Sequence, residues 1–83
     1  MNGSLPSPLD NKAIARTLVE IADLLELRSD NPFKIRAYRN AADTVSHAAE
    51  AVSALDEATL RTWNGIGKDL AGRIRDIAVT GDC

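Results

Sequence analysis

Apolar residues recur along this chain at intervals of three and four, and no segment alternates apolar with polar residues. The clearest run consists of Ile14, Leu18, Ile21 and Leu25. This spacing places the side chains on one face of an α-helix, whereas a half-buried strand needs a period of two. Asp10 or Asn11 stands just before the run and can cap the helix. The pattern therefore predicts an all-α fold.

Further helix starts are predicted at residues that cap or open helices. Residues 28–30 end the first helix, and Asn31 then caps a second whose first helical position is Pro32. Asp56 caps a short third helix, and Lys68 opens a fourth. The other residues expected to face inward are Ala13, Ala22, Leu24, Ala37, Tyr38, Ala41, Ala42, Val45, Ala48, Val52, Leu70, Ala71, Ile74, Ile77 and Ala78. Leu55 and Leu60 are expected to form a hydrophobic staple across the cap of the third helix. Four helices joined by short turns are the predicted architecture.

The length of 83 residues suffices for one domain at most. Residues 1–9 contain glycine, serine and proline and are predicted to form a disordered lead-in, and residues 10–83 to form the domain. Gly81 is expected to end the last helix. A chain this short does not enclose a deep substrate cavity, so a surface site is expected.

The composition argues against membrane and metal-centred proteins. No stretch reaches the roughly 20 apolar residues that span a bilayer. The N-terminus also lacks the pattern of a signal peptide. The single cysteine, Cys83, allows no internal disulfide, and together with His47 it supplies too few ligands for a metal cage. We expect a monomeric, cytoplasmic domain without membrane association.

The net charge of −2 is unevenly distributed. Residues 28–42 and residues 61–75 together hold eight basic and two acidic residues, a net +6, which leaves −8 for the rest of the chain. Two basic segments of this kind fit contact with a polyanion, although two solvated helix faces would give the same count.

The segment Gly65-Ile66-Gly67 separates the last two predicted helices. Glycine permits backbone angles and close approaches that other residues do not, and Ile66 can plug the joint between the helices. The helix that begins at Lys68 presents unpaired N–H groups and a positive dipole end, where a phosphate fits. An ordinary helix–helix corner is the alternative. With Trp63 before it and Lys68 after it, the segment resembles the helix-hairpin-helix motif of DNA repair proteins.

Four residue strings carry a wider resemblance, namely IADLLEL at 21–27, NPFKIRAYRNAA at 31–42, GIGK at 65–68 and TG at 80–81. They resemble the N-terminal domain of family X DNA polymerases. Within that family, these residue strings are most similar to those of the bacterial and archaeal enzymes of the polymerase beta type. The resemblance covers about residues 10–82. It implies an all-α, four-helix domain whose last two helices form a helix-hairpin-helix.

The resemblance also implies a function in base excision repair, with gapped or nicked DNA bound largely independently of sequence. The candidate ligands of the 5′-phosphate are Lys34, Tyr38, Arg39, Arg61 and Arg73. The candidate contacts to the DNA backbone are Asn64, Gly65, Ile66, Gly67, Lys68 and Arg73. Carbonyls at Gly65 and Gly67 can hold a monovalent cation, Na⁺ or K⁺. No other cofactor is expected here, because the nucleotidyl-transfer residues and Mg²⁺ of the parent polymerase lie beyond this chain.

One position departs from the family. Many members remove a 5′-deoxyribose phosphate through a lysine Schiff base, and the position expected to carry that lysine is Arg73 here. A Schiff base needs a neutral amine, and a guanidinium stays protonated. Arg73 is therefore expected to clamp phosphate rather than to catalyse. Two alternatives stay open: a lyase that uses Lys68 or Lys34, and a helical protein-interaction module.

Overall fold

The structure, a computed structural model, describes residues 10–80. The helices in this range are α1 (Asn11–Leu27), α2 (Pro32–Ser46), a 3₁₀ turn (Val52–Ala54), α3 (Glu57–Leu60) and α4 (Lys68–Thr80). No strand occurs between residues 10 and 80. The predicted all-α fold of four helices is thus confirmed. The predicted lead-in at residues 1–9 and the helix stop at Gly81 lie outside the described residues.

Three helices begin at side chains that cap them. The sequence predicted Asn31 and Asp56, and of its two candidates for the first helix the structure has Asp10 as the cap. The acceptor and donor pairs are Asp10 Oδ1 with the N–H of Ala13 at 2.9 Å, Asn31 Oδ1 with the N–H of Phe33 at 2.8 Å, and Asp56 Oδ1 with the N–H of Thr59 at 2.8 Å. Each cap satisfies an N–H group that the helix cannot pair internally. Pro32 occupies the first position of α2, as expected.

The core lies mainly between α1 and α2, which pack along each other, and α4 closes it from the side of the 3₁₀ turn and α3. Its members are Ile14, Ala15, Leu18, Ala22, Leu25, Tyr38, Ala41, Ala42, Val45, Val52, Leu60, Ile66, Leu70, Ala71, Ile74 and Ile77. None of these is more than 7% exposed. Most of the predicted inward residues are therefore buried, and small alanines let the helices approach closely.

Leu24 was predicted to face inward and does not, since it is 58% exposed. On α1 the buried face runs through Leu18, Ala22 and Leu25, and it includes Ala15 instead. Successive residues of an α-helix are rotated by about 100°, so Leu24, two residues after Ala22, lies on the opposite side of α1 from it. The sequence gives the width of an apolar face but not the angle at which a partner helix meets it.

α2 ends at Ser46, and the connection from there to α3 contains the 3₁₀ turn Val52–Ala54. Asn11 ties this connection to the start of α1. Its side-chain amide donates to the carbonyl of Glu50 at 2.7 Å, and its Oδ1 accepts from the N–H of Val52 at 2.9 Å. These bonds bring Val52 into the core although it does not belong to α2.

Candidate nucleic-acid interface

The turn between α3 and α4, residues 61–67, is called the hairpin below. It tightens through two backbone bonds, from the N–H of Trp63 to the carbonyl of Leu60 at 3.0 Å and from the N–H of Ile66 to the carbonyl of Trp63 at 3.1 Å. Gly65 has a φ of +86°, a left-handed conformation that glycine adopts without steric penalty. Ile66, only 3% exposed, anchors the hairpin in the core as predicted.

The start of α4 has no side-chain cap, because the residue before it is Gly67. The carbonyl of Gly67 accepts the first helical hydrogen bond, from the N–H of Ala71 at 2.9 Å. Gly67 has no positive φ, and a Cβ added there would meet nothing within 4 Å. The first N–H groups of α4 and the positive end of its dipole therefore lie at an exposed surface, where the first turn also carries the carboxylate of Asp69.

An open cleft of about 990 Å³ lies beside this helix start, between α2 and α4. Its lining consists of Phe33, Lys34, Ala37, Tyr38, Glu57, Gly65, Gly67, Lys68, Asp69, Leu70, Gly72, Arg73 and Asp76. Three of these side chains are basic and three are acidic. An anion would thus be attracted by particular groups within the cleft rather than by a net positive charge.

Six of the predicted site residues come together in this cleft: Lys34, Tyr38, Gly65, Gly67, Lys68 and Arg73. Lys34 and Lys68 belong to different helices and are both exposed. Tyr38 is 7% exposed, so it belongs to the core although it also lines the cleft. The fold therefore brings the predicted phosphate ligands of α2 next to the predicted backbone contacts of the hairpin.

Four predicted site residues do not line the cleft. Arg39 is bound on the surface between α1 and α2, with Nη2 at 2.6 Å from a Glu26 carboxylate oxygen and 3.1 Å from one of Asp23. The hydrogen bonds that the Arg39 guanidinium donates, chiefly to the Asp23 carboxylate and then to that of Glu26, raise its pKa. The remaining three are Arg61, Asn64 and Ile66. Arg61 and Asn64 are exposed on the hairpin, whereas the side chain of Ile66 is buried.

Arg75, which the charge pattern counted with the basic segments, has a structural role. Its Nη1 donates to the carbonyls of Ser53 at 2.8 Å and Leu55 at 3.0 Å. It thus links α4 to the segment that leads into α3. Arg39 and Arg75 are both engaged with other parts of the chain, so the two basic segments overstate the charge that a ligand meets.

Sequence reasoning missed two features of the cleft. Phe33 is 77% exposed and lines the cleft next to Lys34. The sequence showed an aromatic residue beside a lysine, but not that its ring is exposed. Gly72 lines the cleft from within α4. A glycine inside a helical pattern is a signal in the sequence, because the position would be more stable as alanine.

The comparisons with known proteins agree with this geometry. A family model described as a helix-hairpin-helix domain matches residues 9–83. The chain belongs to this helix-hairpin-helix family. Membership of this family supports the prediction that the chain is a DNA-binding domain.

A curated relative defines the relationship more closely. The chain is 35% identical over 68 residues to the DNA polymerase/3'-5' exonuclease PolX of Bacillus subtilis (strain 168). This match covers 82% of the chain and 12% of the relative, so the chain spans only a small part of that protein. It confirms the predicted relationship to the helix-hairpin-helix domain of family X DNA polymerases. No solved structure matches the chain.

Among residues 10–80, no helix has the length and apolar character that crossing a bilayer requires. Nor does this part of the chain contain a group of histidine, cysteine and carboxylate side chains placed to hold a metal ion.

Proposed function

We propose that this domain binds the sugar–phosphate backbone of DNA at the hairpin and holds the 5′-phosphate of a gap or nick in the cleft. The observation that carries the proposal is that Lys34 of α2 and Lys68 of α4 line the same cleft, beside a helix start without a side-chain cap. Helix N–H groups and lysines both bind phosphate oxygens, and neither reads a base. The proposed recognition is therefore largely independent of sequence.

The supporting groups have distinct roles in this proposal. The backbone at Gly65 and Gly67 lies against a phosphate of the duplex, and its carbonyls hold Na⁺ or K⁺ between protein and DNA. Arg73 lines the cleft one turn into α4 and offers a planar guanidinium that suits a phosphate. Phe33 exposes a ring on which a base next to the gap can stack. The proposed bound form is one protein molecule per DNA end.

We further propose that the domain serves a cytoplasmic repair polymerase of family X, for which it selects gapped DNA. The name of the Bacillus relative describes a polymerase and exonuclease. In such a protein Mg²⁺ would act at residues outside this chain. The part proposed for this domain is binding.

Titration by fluorescence anisotropy tests the binding proposal. The probes are a gapped duplex with a 5′-phosphate, the same duplex without it, and an intact duplex. With about three phosphate contacts, the log–log salt slope should be about −2.7, so affinity should fall about 40-fold between 50 and 200 mM salt. The 5′-phosphate should raise affinity about tenfold. An affinity that ignores both the salt and the phosphate would refute the proposal.

Two neighbouring cations provide a matched pair of variants. Lys34 lines the cleft, whereas Arg36 is exposed on the same helix and does not. Lys34→Gln should abolish most of the preference for the 5′-phosphate. Arg36→Gln removes the same charge and should leave the preference unchanged. Equal losses in the two variants would show that the attraction is general rather than localised in the cleft.

A lyase acting through Lys68 or Lys34 predicts a different result. Borohydride would trap a covalent adduct with incised abasic DNA, and the adduct would disappear in Lys68→Ala or Lys34→Ala. The binding proposal predicts no adduct, because Arg73 cannot form a Schiff base. A protein-interaction module would in turn show no chemical-shift change at residues 65–68 when gapped DNA is added.

A further inference from the structure

The first turn of α4 carries a charge that opposes the binding proposed for it. Asp69 is the second residue of this helix, is exposed, and lines the cleft beside Lys68. The two longer helices, α1 and α2, begin with a side-chain cap and have no acidic residue in their first turn. A carboxylate in the first turn interacts favourably with the positive end of the helix dipole. Asp69 therefore stabilises the free protein at the surface that a phosphate would contact.

A carboxylate and a phosphate at the same helix start compete for the same attraction. The first N–H groups of α4 and its dipole favour one nearby anion, and Asp69 already supplies it. Asp69 also offsets the positive charge of Lys68, which precedes it in the chain. A phosphate that reaches this helix start thus meets a cation and an anion together, and it gains less than Lys68 and the N–H groups alone would provide.

Among the three acidic residues of the cleft, Asp69 is the one that belongs to the first turn of α4. Asp76 lies eight residues after Lys68, about 12 Å further along the helix axis. Glu57 belongs to α3. A carboxylate in the same turn as the proposed phosphate lies within roughly 5–7 Å of it, the distance at which its repulsion counts most.

We propose that Asp69 limits the affinity of this domain for the DNA backbone, so that the hairpin holds duplex less tightly than its other groups allow. The inference rests on the proposed function and adds the residue that sets the strength of binding. Lys34, which lies on α2, is instead the residue proposed to set the preference for a 5′-phosphate. Absolute affinity and discrimination are thus assigned to different helices.

The test compares three variants of the 83-residue chain. Asp69→Asn removes the charge and keeps the shape of the side chain, whereas Asp69→Glu keeps the charge. Glu20→Gln is the matched control, because Glu20 is exposed on α1 and does not line the cleft. It changes the net charge of the protein by the same amount as Asp69→Asn. Anisotropy with intact duplex and with the 5′-phosphorylated gap is measured at 50 and 200 mM salt, together with thermal unfolding.

Asp69→Asn should bind intact duplex about threefold more tightly at 50 mM salt, because one nearby repulsive charge is removed. The gain should shrink at 200 mM salt, where screening is stronger. Affinity for the 5′-phosphorylated gap should rise at least as much, so the preference for the phosphate should not fall. Asp69→Glu and Glu20→Gln should bind both probes like the unaltered protein.

Thermal unfolding separates this effect from a general change in folding. Asp69→Asn should unfold at a temperature lower by a few degrees, since its helix loses a favourable interaction with the dipole. Tighter binding by a less stable protein does not result from better folding. An unchanged or higher unfolding temperature would overturn the inference, because Asp69 would then not occupy the dipole.

The binding results distinguish failure of this inference from failure of the proposed function. If Asp69→Asn gains no more than Glu20→Gln, the effect is one of net charge and the inference about Asp69 is wrong. Loss of affinity in Asp69→Asn, or an equal gain in Asp69→Glu, would overturn it as well. If the unaltered protein ignores both the salt and the 5′-phosphate, the proposed function itself fails.

Discussion

Replacing Gly67 by serine should stabilise the protein and weaken its hold on DNA. Asp10, Asn31 and Asp56 cap the other three helices with side-chain bonds of 2.8–2.9 Å, whereas α4 begins after a residue without a side chain. Serine is among the best capping residues, and its hydroxyl would accept from an N–H in the first turn of α4. Gly67 has no positive φ and open space around it, so the side chain can be accommodated.

The magnitudes follow from the groups that change. Serine in place of glycine at a helix cap gains a few tenths of a kcal/mol, or about 1–3 °C in the unfolding midpoint of a domain of this size. A phosphate on the same N–H groups makes a charge-assisted bond of about 1.5–3 kcal/mol. The hydroxyl competes for that bond, so affinity for duplex DNA should fall about tenfold or more.

Circular dichroism melting and anisotropy with an intact duplex measure both effects on one sample. The intact duplex is the proper probe, because in the proposed binding mode it contacts the hairpin and presents no 5′-phosphate. Gly67→Ser that binds duplex as tightly as the unaltered protein would refute the idea that phosphate lies on the start of α4. A lower midpoint would show that Gly67 serves the fold.

Three further predictions concern stability. Gly65→Ala forces an L-residue to a φ of +86° and should lower stability by about 1 kcal/mol, seen as a melting midpoint lower by about 4–8 °C. The Asp56 pKa lies below its ordinary 3.8, chiefly because the backbone N–H of Thr59 donates to it. The ionised Asp56 carboxylate therefore stabilises the folded state above about pH 4, and this contribution is lost as the pH falls through the lowered pKa of the folded protein. Acid melts of Asp56→Asn should accordingly show a weaker pH dependence than those of the unaltered protein. Arg75→Met removes two bonds to carbonyls and should lower the free energy of unfolding in urea titrations by about 1–2 kcal/mol; an unchanged midpoint would contradict the proposed link.

Helix starts could be predicted from the sequence because their causes are local. Asp10, Asn31 with Pro32, and Asp56 each cap a helix through N–H groups two or three residues away. Ile66 was also predicted correctly, since an isoleucine between glycines has only the core as an apolar environment. These rules need no knowledge of the rest of the fold.

What sequence reasoning missed depends on how the helices meet. Leu24 has the spacing of an inward residue, yet α2 approaches α1 from another angle. Arg39 has the same charge as Lys34, but Asp23 and Glu26 of α1 occupy its guanidinium. Such pairings form between elements far apart in sequence, so a charge count cannot separate a cation that binds a ligand from one that joins two helices.

The acidic character of the chain limits how this domain can recognise DNA. With a net charge of −2, and with Glu57, Asp69 and Asp76 in the cleft itself, long-range attraction to a polyanion is weak. In the proposed binding mode, affinity depends on short contacts that form only when a phosphate reaches Lys34, Lys68 and the start of α4. In this proposal intact duplex contacts the hairpin alone, whereas a 5′-phosphorylated end contacts the hairpin and the cleft together. Weak attraction at a distance and two adjacent short-range sites are together the conditions under which a small domain discriminates a DNA end from the far more abundant duplex.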